Sequence, residues 1–244
     1  KLEDARACLA KAIERDRYMT EVYTALAGLE ANEGRWEAAA AWYEKGHEVD
    51  RGYIPHLTGL ADSLRAAMQA AEAMGREEEG GAYRRRALAA MEEATRLDGT
   101  LVEPWWRAAQ LHQCEAEALR RRGEDPEAAY GRALSAVDRT LSIDGGAAEA
   151  NNVQANIYAS QGDWLRRQGK DPSEAYVRAL VGYEKAVSIN PRSASAVNNQ
   201  ATVYMLQGDW LRGQGKDPSE ASARALAGYD KALSINPRKA AAAN

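Results

Sequence analysis

Small apolar residues recur along the chain in two series with the same irregular spacing. One series has steps of 34, 48, 46 and 46 residues and consists of Ala27, Ala61, Ala109, Ala155 and Ala201. The other has the same steps plus a final one of 46, and consists of Ala5, Ala39, Ala87, Ala133, Ala179 and Ala225. A small side chain at a fixed place lets two helix axes approach closely, and tyrosines such as Tyr183 and Tyr229 fill the wider spaces. The pattern therefore predicts stacked pairs of helices.

A segment of 31 residues is repeated almost unchanged near the C-terminus. Residues 161–191 read QGDWLRRQGKDPSEAYVRALVGYEKAVSINP, and residues 207–237 read QGDWLRGQGKDPSEASARALAGYDKALSINP. The sequence is rich in the helix formers Ala, Leu, Arg and Glu, and it has no strand-like alternation bounded by hairpin turns. A period of this size indicates stacked supersecondary units, so the expected fold class is all-α.

The longer repeats carry about 12 extra residues between the two helices of a pair, compared with the 34-residue unit. We expect the first helix to continue through 164–167 and to end at Gly169, a residue type suited to the left-handed position after a helix. Asp171 is expected to cap the next helix, with Pro172 at its first position and Glu174 completing a capping box. The extra residues therefore predict longer helices, of about 20 residues each, rather than a loop.

The 34-residue step and its residues resemble the tetratricopeptide repeat. The first full unit has Tyr23, Leu26 and Ala27, followed by Ala39 and Tyr43, in the places that this family's pattern gives to Trp, Leu, Gly, Ala and Phe. The sequence departs from the pattern where Gln154 and Gln200 take the leucine place and Glu30 and His112 take the tyrosine place. The resemblance implies a right-handed superhelical solenoid of antiparallel helix pairs.

The repeat spacing also divides the chain. It predicts the second helix of a truncated repeat in 1–16 and the start of another truncated repeat in 237–244. Between them it predicts one 34-residue repeat, 17–50, and four longer repeats, 51–98, 99–144, 145–190 and 191–236. Neither end has the polar helix that usually caps a solenoid. We therefore expect this chain to be a piece of a longer protein.

Composition limits the classes of function. The formal net charge is -4 with 28% charged residues, which gives no basic face for a nucleic-acid backbone. No apolar run of about 18 residues is present to span a membrane. The two cysteines, Cys8 and Cys114, have no CxxC spacing, which favours reduced thiols and a cytoplasmic location.

An asparagine series on the first helices is the leading candidate site. Asn152, Asn198 and Asn244 are 46 residues apart. First helices line the concave groove in the family that the chain resembles, and an asparagine can bond both the N–H and the C=O of an extended peptide. The flanking candidates are Asn156, Asn199, Thr202, Gln110 and Trp106. In the alternative interpretation, these asparagines cap or bridge neighbouring helices.

Three further candidates carry weaker signals. A clamp for a peptide carboxylate needs convergent cations, and only Arg65 and Arg107 are placed on groove-facing turns. Trp164 and Trp210, with Arg120, Arg166 and Arg212 nearby, predict either a partner hot spot or, in the favoured interpretation, helix packing with ion pairs. The three histidines share no metal-ligand spacing, and no nucleophile or phosphate-binding motif is present, so we expect neither a metal, a cofactor nor an enzyme activity.

The sequence thus favours a scaffold that binds a peptide segment or a partner domain in its groove. The phrase GDWLRxQGKDPSEA, followed by a YEKAVSINP-type close, also resembles repeats found downstream of bacterial serine/threonine protein kinases. That resemblance implies the alternative of a regulatory or sensor arm of a larger enzyme. Self-association through uncapped ends is a third possibility.

Overall fold

The structure, a computed structural model, describes residues 2–236 and folds them into eleven α-helices with no strand. The helices are α1 (Leu2–Arg15), α2 (Thr20–Asn32), α3 (Trp36–Val49), α4 (Ile54–Ala73), α5 (Glu77–Leu97), α6 (Val102–Arg121), α7 (Glu127–Ile143), α8 (Ala148–Arg167), α9 (Ser173–Ile189), α10 (Ala194–Gly213) and α11 (Ser219–Ile235). The all-α prediction is confirmed.

The chain divides into two compact units. Unit 1 comprises Lys1–Leu111, and unit 2 comprises His112–Asn244. In the described part, each predicted repeat between 17 and 236 contains two helices, and 1–16 contains α1. The repeat boundaries themselves stay predictions, and both 237–244 and Asn244 of the asparagine series lie outside the described residues.

Helix pairs in unit 2 pack closely because small residues meet at the crossing. A Cβ added to Gly182 of α9 would lie 3.0 Å from the Cβ of Ala155 in α8. The same contact recurs one repeat later, where a Cβ on Gly228 of α11 would lie 2.8 Å from the Cβ of Ala201 in α10. The alanine series therefore marks the close approach of the two helices in each pair.

The extra residues of the long repeats form helix, as predicted. Helices α8 and α10 have 20 residues each, compared with 13 in α2. Gly169 follows α8 with a φ of +70°, and this left-handed backbone is what the glycine permits.

The start of α9 differs from the prediction by one residue. The helix begins at Ser173, and the Asp171 carboxylate accepts the backbone N–H of Ser173 at 2.9 Å. Glu174 does not complete a capping box, because its carboxylate accepts a bond from the Arg178 guanidinium at 2.6 Å instead. An ion pair one turn along the helix thus takes the place of the predicted bond back to the cap.

The cores of the two units are built from different large side chains. In unit 1, α4 and α5 bury Leu57, Leu64, Met68 and Met91. In unit 2, one buried cluster consists of Tyr176, Tyr183, Ala155, Ala179 and Val203, contributed by α8, α9 and α10. The Tyr183 hydroxyl of this cluster bonds the candidate residue Asn156.

In two repeats the place that the family pattern gives to tyrosine holds a polar residue, Glu30 or His112, and each of them contacts another polar side chain. Glu30 is buried and bonds the guanidinium groups of Arg6 and Arg35. The pKa of Glu30 lies below its ordinary value, because the hydrogen bond from Arg35 lowers it by more than burial raises it. His112 contacts the Glu115 carboxylate at 3.2 Å, so both polar residues are paired within the fold.

Candidate functional site

The surface formed by α8 and α10 in unit 2 carries five of the predicted site residues. We call it the α8–α10 face, and it consists of Asn152, Asn156, Asn198, Asn199 and Thr202. The two helices contact each other, and the tyrosine cluster packs α9 against both of them. These five side chains divide into two groups according to the hydrogen bonds they make.

Asn156 and Asn199 are bridging residues. The Asn156 side-chain oxygen accepts a bond from the buried Tyr183 hydroxyl at 2.6 Å. The same oxygen accepts a bond from the Asn199 amide nitrogen at 3.1 Å, which joins α8 to α10. The bridging interpretation that the sequence left open therefore accounts for this pair.

Thr202 repeats the first of these contacts one unit later. Its hydroxyl accepts a bond from the Tyr229 hydroxyl at 3.2 Å and donates to the Asn198 backbone carbonyl at 3.0 Å. Asn156 and Thr202 are 46 residues apart, as are Tyr183 and Tyr229. The polar residue below each tyrosine is thus a repeated structural feature, even though its identity changes.

Asn152 and Asn198 have unused side-chain amides. Among residues 2–236, neither side chain has a hydrogen-bond partner, and the Asn152 oxygen is shielded from solvent as well. Asn198 is exposed. The fold therefore satisfies the flanking residues, and it leaves the Asn198 amide open to a ligand and the Asn152 amide nitrogen without a partner in the described residues.

A cavity of about 530 Å³ opens beside Asn198 and Asn199. Ligand sites in proteins usually have volumes of about 300–1,000 Å³, so this cavity is of a suitable size. Its walls combine the polar Arg192, Ser193 and Ser195 with the apolar Leu233 and Ile235. Sequence reasoning missed these lining residues, because they come from the start of α10 and the end of α11, which are far apart along the chain.

The remaining predicted site residues lie in unit 1. Arg107 bonds the carboxylates of Asp62 and Glu103, and its guanidinium lies 5.0 Å from the Trp106 ring centroid. Arg65 lies 3.9 Å from the same Asp62 carboxylate. Both cations thus have acidic neighbours, which lowers their capacity to clamp a peptide carboxylate. Gln110 is half-buried on α6.

Among the tryptophan and arginine candidates at the helix ends, Arg120 and Arg166 form ion pairs with Asp163. Asp163 accepts bonds from Arg120 and Arg167 on one oxygen, at 2.7 and 2.8 Å, and from Arg166 on the other at 2.8 Å. Burial alone raises the pKa of Asp163, but the three guanidinium bonds outweigh it and hold the pKa below its ordinary value. Trp164 lies beside this cluster and is half-buried.

No group of three or more His, Cys, Asp or Glu side chains within 2–236 is placed to hold a metal ion. None of the described helices is both long enough and apolar enough to cross a membrane.

Two solved structures with the same fold are tetratricopeptide-repeat proteins. The chain is similar to YrrB, a TPR protein with an unusual peptide-binding site, with a TM-score of 0.51 and 19% identity over 94% of this chain and 92% of YrrB. It is also similar to TTC0263, a thermophilic TPR protein of Thermus thermophilus, with a TM-score of 0.59 and 17% identity over 81% and 87% of the two chains. No protein-family model and no curated protein matches the sequence. The helical-repeat fold predicted from the spacing is thereby confirmed.

A third similar structure bears on the expected partners. The human IFIT1 dimer with PPP-AAAA has a TM-score of 0.59 and 17% identity, over 95% of this chain and 46% of IFIT1. A protein with a similar fold is therefore seen with the ligand PPP-AAAA. The absence of a nucleic-acid partner stays a prediction from the charge of the chain and does not follow from its fold.

The bridging role of Asn156 has a measurable consequence for stability. Replacing it in the variant Asn156→Ala leaves the buried Tyr183 hydroxyl without its acceptor and removes the bond from Asn199. An unsatisfied buried polar group costs about 1–3 kcal/mol, so we expect the free energy of unfolding to fall by about 1–2 kcal/mol. Urea unfolding measures this change. A loss no larger than that of the exposed-site variant Ser234→Ala would contradict the bridging role.

Proposed function

We propose that this chain is a protein-interaction module that binds an extended peptide segment on its α8–α10 face. Asn152 and Asn198 are the residues that contact the peptide backbone. The proposal depends mainly on one observation: within residues 2–236, these two side-chain amides have no partner, whereas Asn156, Asn199 and Thr202 are already bonded within the fold.

The chemistry of an amide suits a ligand of unspecified sequence. An asparagine amide has a carbonyl acceptor and two N–H donors, so Asn198 can bond both the N–H and the C=O of a single extended residue. Asn152, whose oxygen is shielded, donates its N–H groups to a peptide C=O. Because every residue except proline offers both groups, the contact carries no preference for particular side chains. Specificity then has to come from the surfaces beside the asparagines.

The spacing of the two helices fits an extended ligand. Helices in direct contact have axes about 8–10 Å apart, and an extended chain rises about 3.3 Å per residue. Asn152 and Asn198 would therefore bond peptide units about three residues apart. The cavity beside Asn198 offers Leu233 and Ile235 for an apolar side chain of the same peptide.

The variant Asn152→Ala/Asn198→Ala tests this function. The probes are individual peptides selected from a phage-displayed library of random dodecapeptides on the wild-type chain. A hydrogen bond contributes about 0.5–1.5 kcal/mol net, so losing both asparagines should weaken binding about tenfold. The melting temperature should stay unchanged, because neither amide has a partner in the described part of the fold. Fluorescence anisotropy and thermal unfolding give the two readouts.

Asn199→Ala is the matched control, since it removes an amide from the same face that already has a partner. It should lower the melting temperature more than the double variant and weaken peptide binding less. The proposal fails if no peptide is enriched on the wild-type chain. It also fails if the enriched peptides bind the double variant as tightly as the wild type.

A further inference from the structure

A second surface of unit 2 has an excess of positive charge around a cavity. The cavity has a volume of about 450 Å³ and lies between the C-terminal turns of α6 and α8. We call it the tip pocket and define it by Arg120, Arg121, Trp164, Arg167 and Glu117. It is separate from the α8–α10 face, because it shares no residue with that face.

The acidic groups at the tip do not use all the guanidinium donors. Asp163 already accepts from three arginines, and a carboxylate has about four acceptor positions in total. Arg167 reaches Asp163 through its Nε atom only, and within residues 2–236 its two terminal nitrogens have no partner. Its side chain is 65% exposed. One guanidinium edge is therefore open to a ligand in water.

The geometry points to an acidic segment of a protein partner. Arg167 binds one Asp or Glu carboxylate of that segment, and the methylene carbons beside this carboxylate pack against Trp164. A guanidinium edge with two N–H groups matches a carboxylate in a bidentate pair. The Trp164 ring supplies a flat apolar wall for the methylene carbons beside that carboxylate. Arg120 and Arg121 line the α6 side of the cavity, and Arg120 is itself bonded to Asp163.

Glu117 explains the preference for a carboxylate over a phosphate. Its side chain lines the same cavity and carries a negative charge of its own. A phosphate monoester carries a charge of about −1.5 to −2 at pH 7, so Glu117 repels it more strongly than it repels a carboxylate. A single open guanidinium edge also falls short of the several phosphate contacts that nucleic-acid binding uses.

The repeat supplies a natural comparison. The residue 46 positions after Arg167 is Gly213, although Trp210 repeats Trp164 and Arg212 repeats Arg166. The next helix end therefore keeps the packing residues and lacks the open cation. Arg167 is not needed for that packing, so its replacement leaves the helix end intact.

Anisotropy of a fluorescein-labelled dodecapeptide of alternating Glu and Ala tests the tip pocket on the full chain. The neutral peptide of alternating Gln and Ala is the ligand control. We expect binding of the acidic peptide only, weakened about tenfold by Arg167→Ala and strengthened by Glu117→Gln. Arg178→Ala, which removes a similarly exposed charge from α9, should weaken binding by less than about twofold. Affinity should fall as salt is raised, because the contact is partly exposed.

Three outcomes overturn the inference. One is that the acidic peptide fails to bind, and another is that Arg167→Ala and Arg178→Ala weaken it equally. The third is that oligouridylate binds more tightly than the acidic peptide and depends on Arg167, which assigns the pocket to phosphates. The variant Asn152→Ala/Asn198→Ala should bind the acidic peptide normally, so failure here is distinguishable from failure of the α8–α10 face.

Discussion

The variant Tyr183→Ala is expected to lower the free energy of unfolding of unit 2 by about 3–5 kcal/mol, as for a fully buried aromatic side chain. Tyr183 is 2% exposed and packs in the cluster with Ala155, Ala179 and Val203. Its removal leaves a cavity between α8, α9 and α10, and it also deprives Asn156 of the hydroxyl donor. Urea unfolding followed by circular dichroism measures the loss.

The repeat provides a matched control for this prediction in Tyr229→Ala. Tyr229 occupies the same place 46 residues later and makes the equivalent bond to Thr202. It is only half-buried, since no described helix packs on the far side of α11. The cost should therefore be less than half of that for Tyr183→Ala. Equal losses at the two tyrosines would contradict the view that the neighbouring pair stabilises each repeat.

The second large effect is a loss of stability of unit 1 in mild acid, caused by His56. This imidazole is completely buried, contacts the Thr20 carbonyl at 3.2 Å and lies against the rings of Tyr43 and Tyr53. Burial lowers its pKa below the ordinary value, although the Thr20 contact acts in the opposite direction. The folded chain therefore holds His56 neutral at a pH where an unfolded chain would protonate it.

The sign of the pH effect follows from this difference. Well above about pH 6.5 both states hold a neutral imidazole, and stability does not depend on it. As the pH falls through about 6.5, the unfolded state gains a proton that the folded state excludes, so the free energy of unfolding falls. The slope from one residue is at most about 1.4 kcal/mol per pH unit, and it ends below the folded-state pKa.

Urea unfolding between about pH 7.5 and pH 5 tests this effect in the wild type and in His56→Gln. Glutamine cannot titrate in this range and keeps a donor for the Thr20 carbonyl. The variant should therefore have the smaller slope, because the other groups of the chain are the same in both proteins. A variant slope equal to that of the wild type would assign the acid sensitivity to groups other than His56.

The spacing of small residues predicted much of the fold because close helix packing requires them. Ala155 and Ala201 lie at the crossings, opposite Gly182 and Gly228, as a repeated contact demands. The glycine after α8 and the long helices were predictable from local backbone preferences. The capping box at Glu174 was not, because Arg178 lies one turn away and competes for the same carboxylate.

The candidate site was predicted less completely than the fold. Sequence spacing identified the asparagines as a set, but it could not separate Asn156 and Asn199, which bond each other, from Asn152 and Asn198, whose amides are unused. That division depends on which side chains face each other across α8 and α10. Sequence spacing gives no signal at Arg167 for a related reason, since its open guanidinium edge arises from the Asp163 carboxylate being shared among three arginines.

Peptide binding by the asparagine series can be observed directly in the side-chain amide resonances of the asparagines, followed by NMR during addition of a selected dodecapeptide. The Asn152 and Asn198 amide signals should shift as the peptide binds, because their N–H groups gain an acceptor. The Asn156 and Asn199 signals should move far less, since their bonds lie within the fold. The opposite pattern, or shifts confined to unit 1, would contradict peptide binding by the asparagine series.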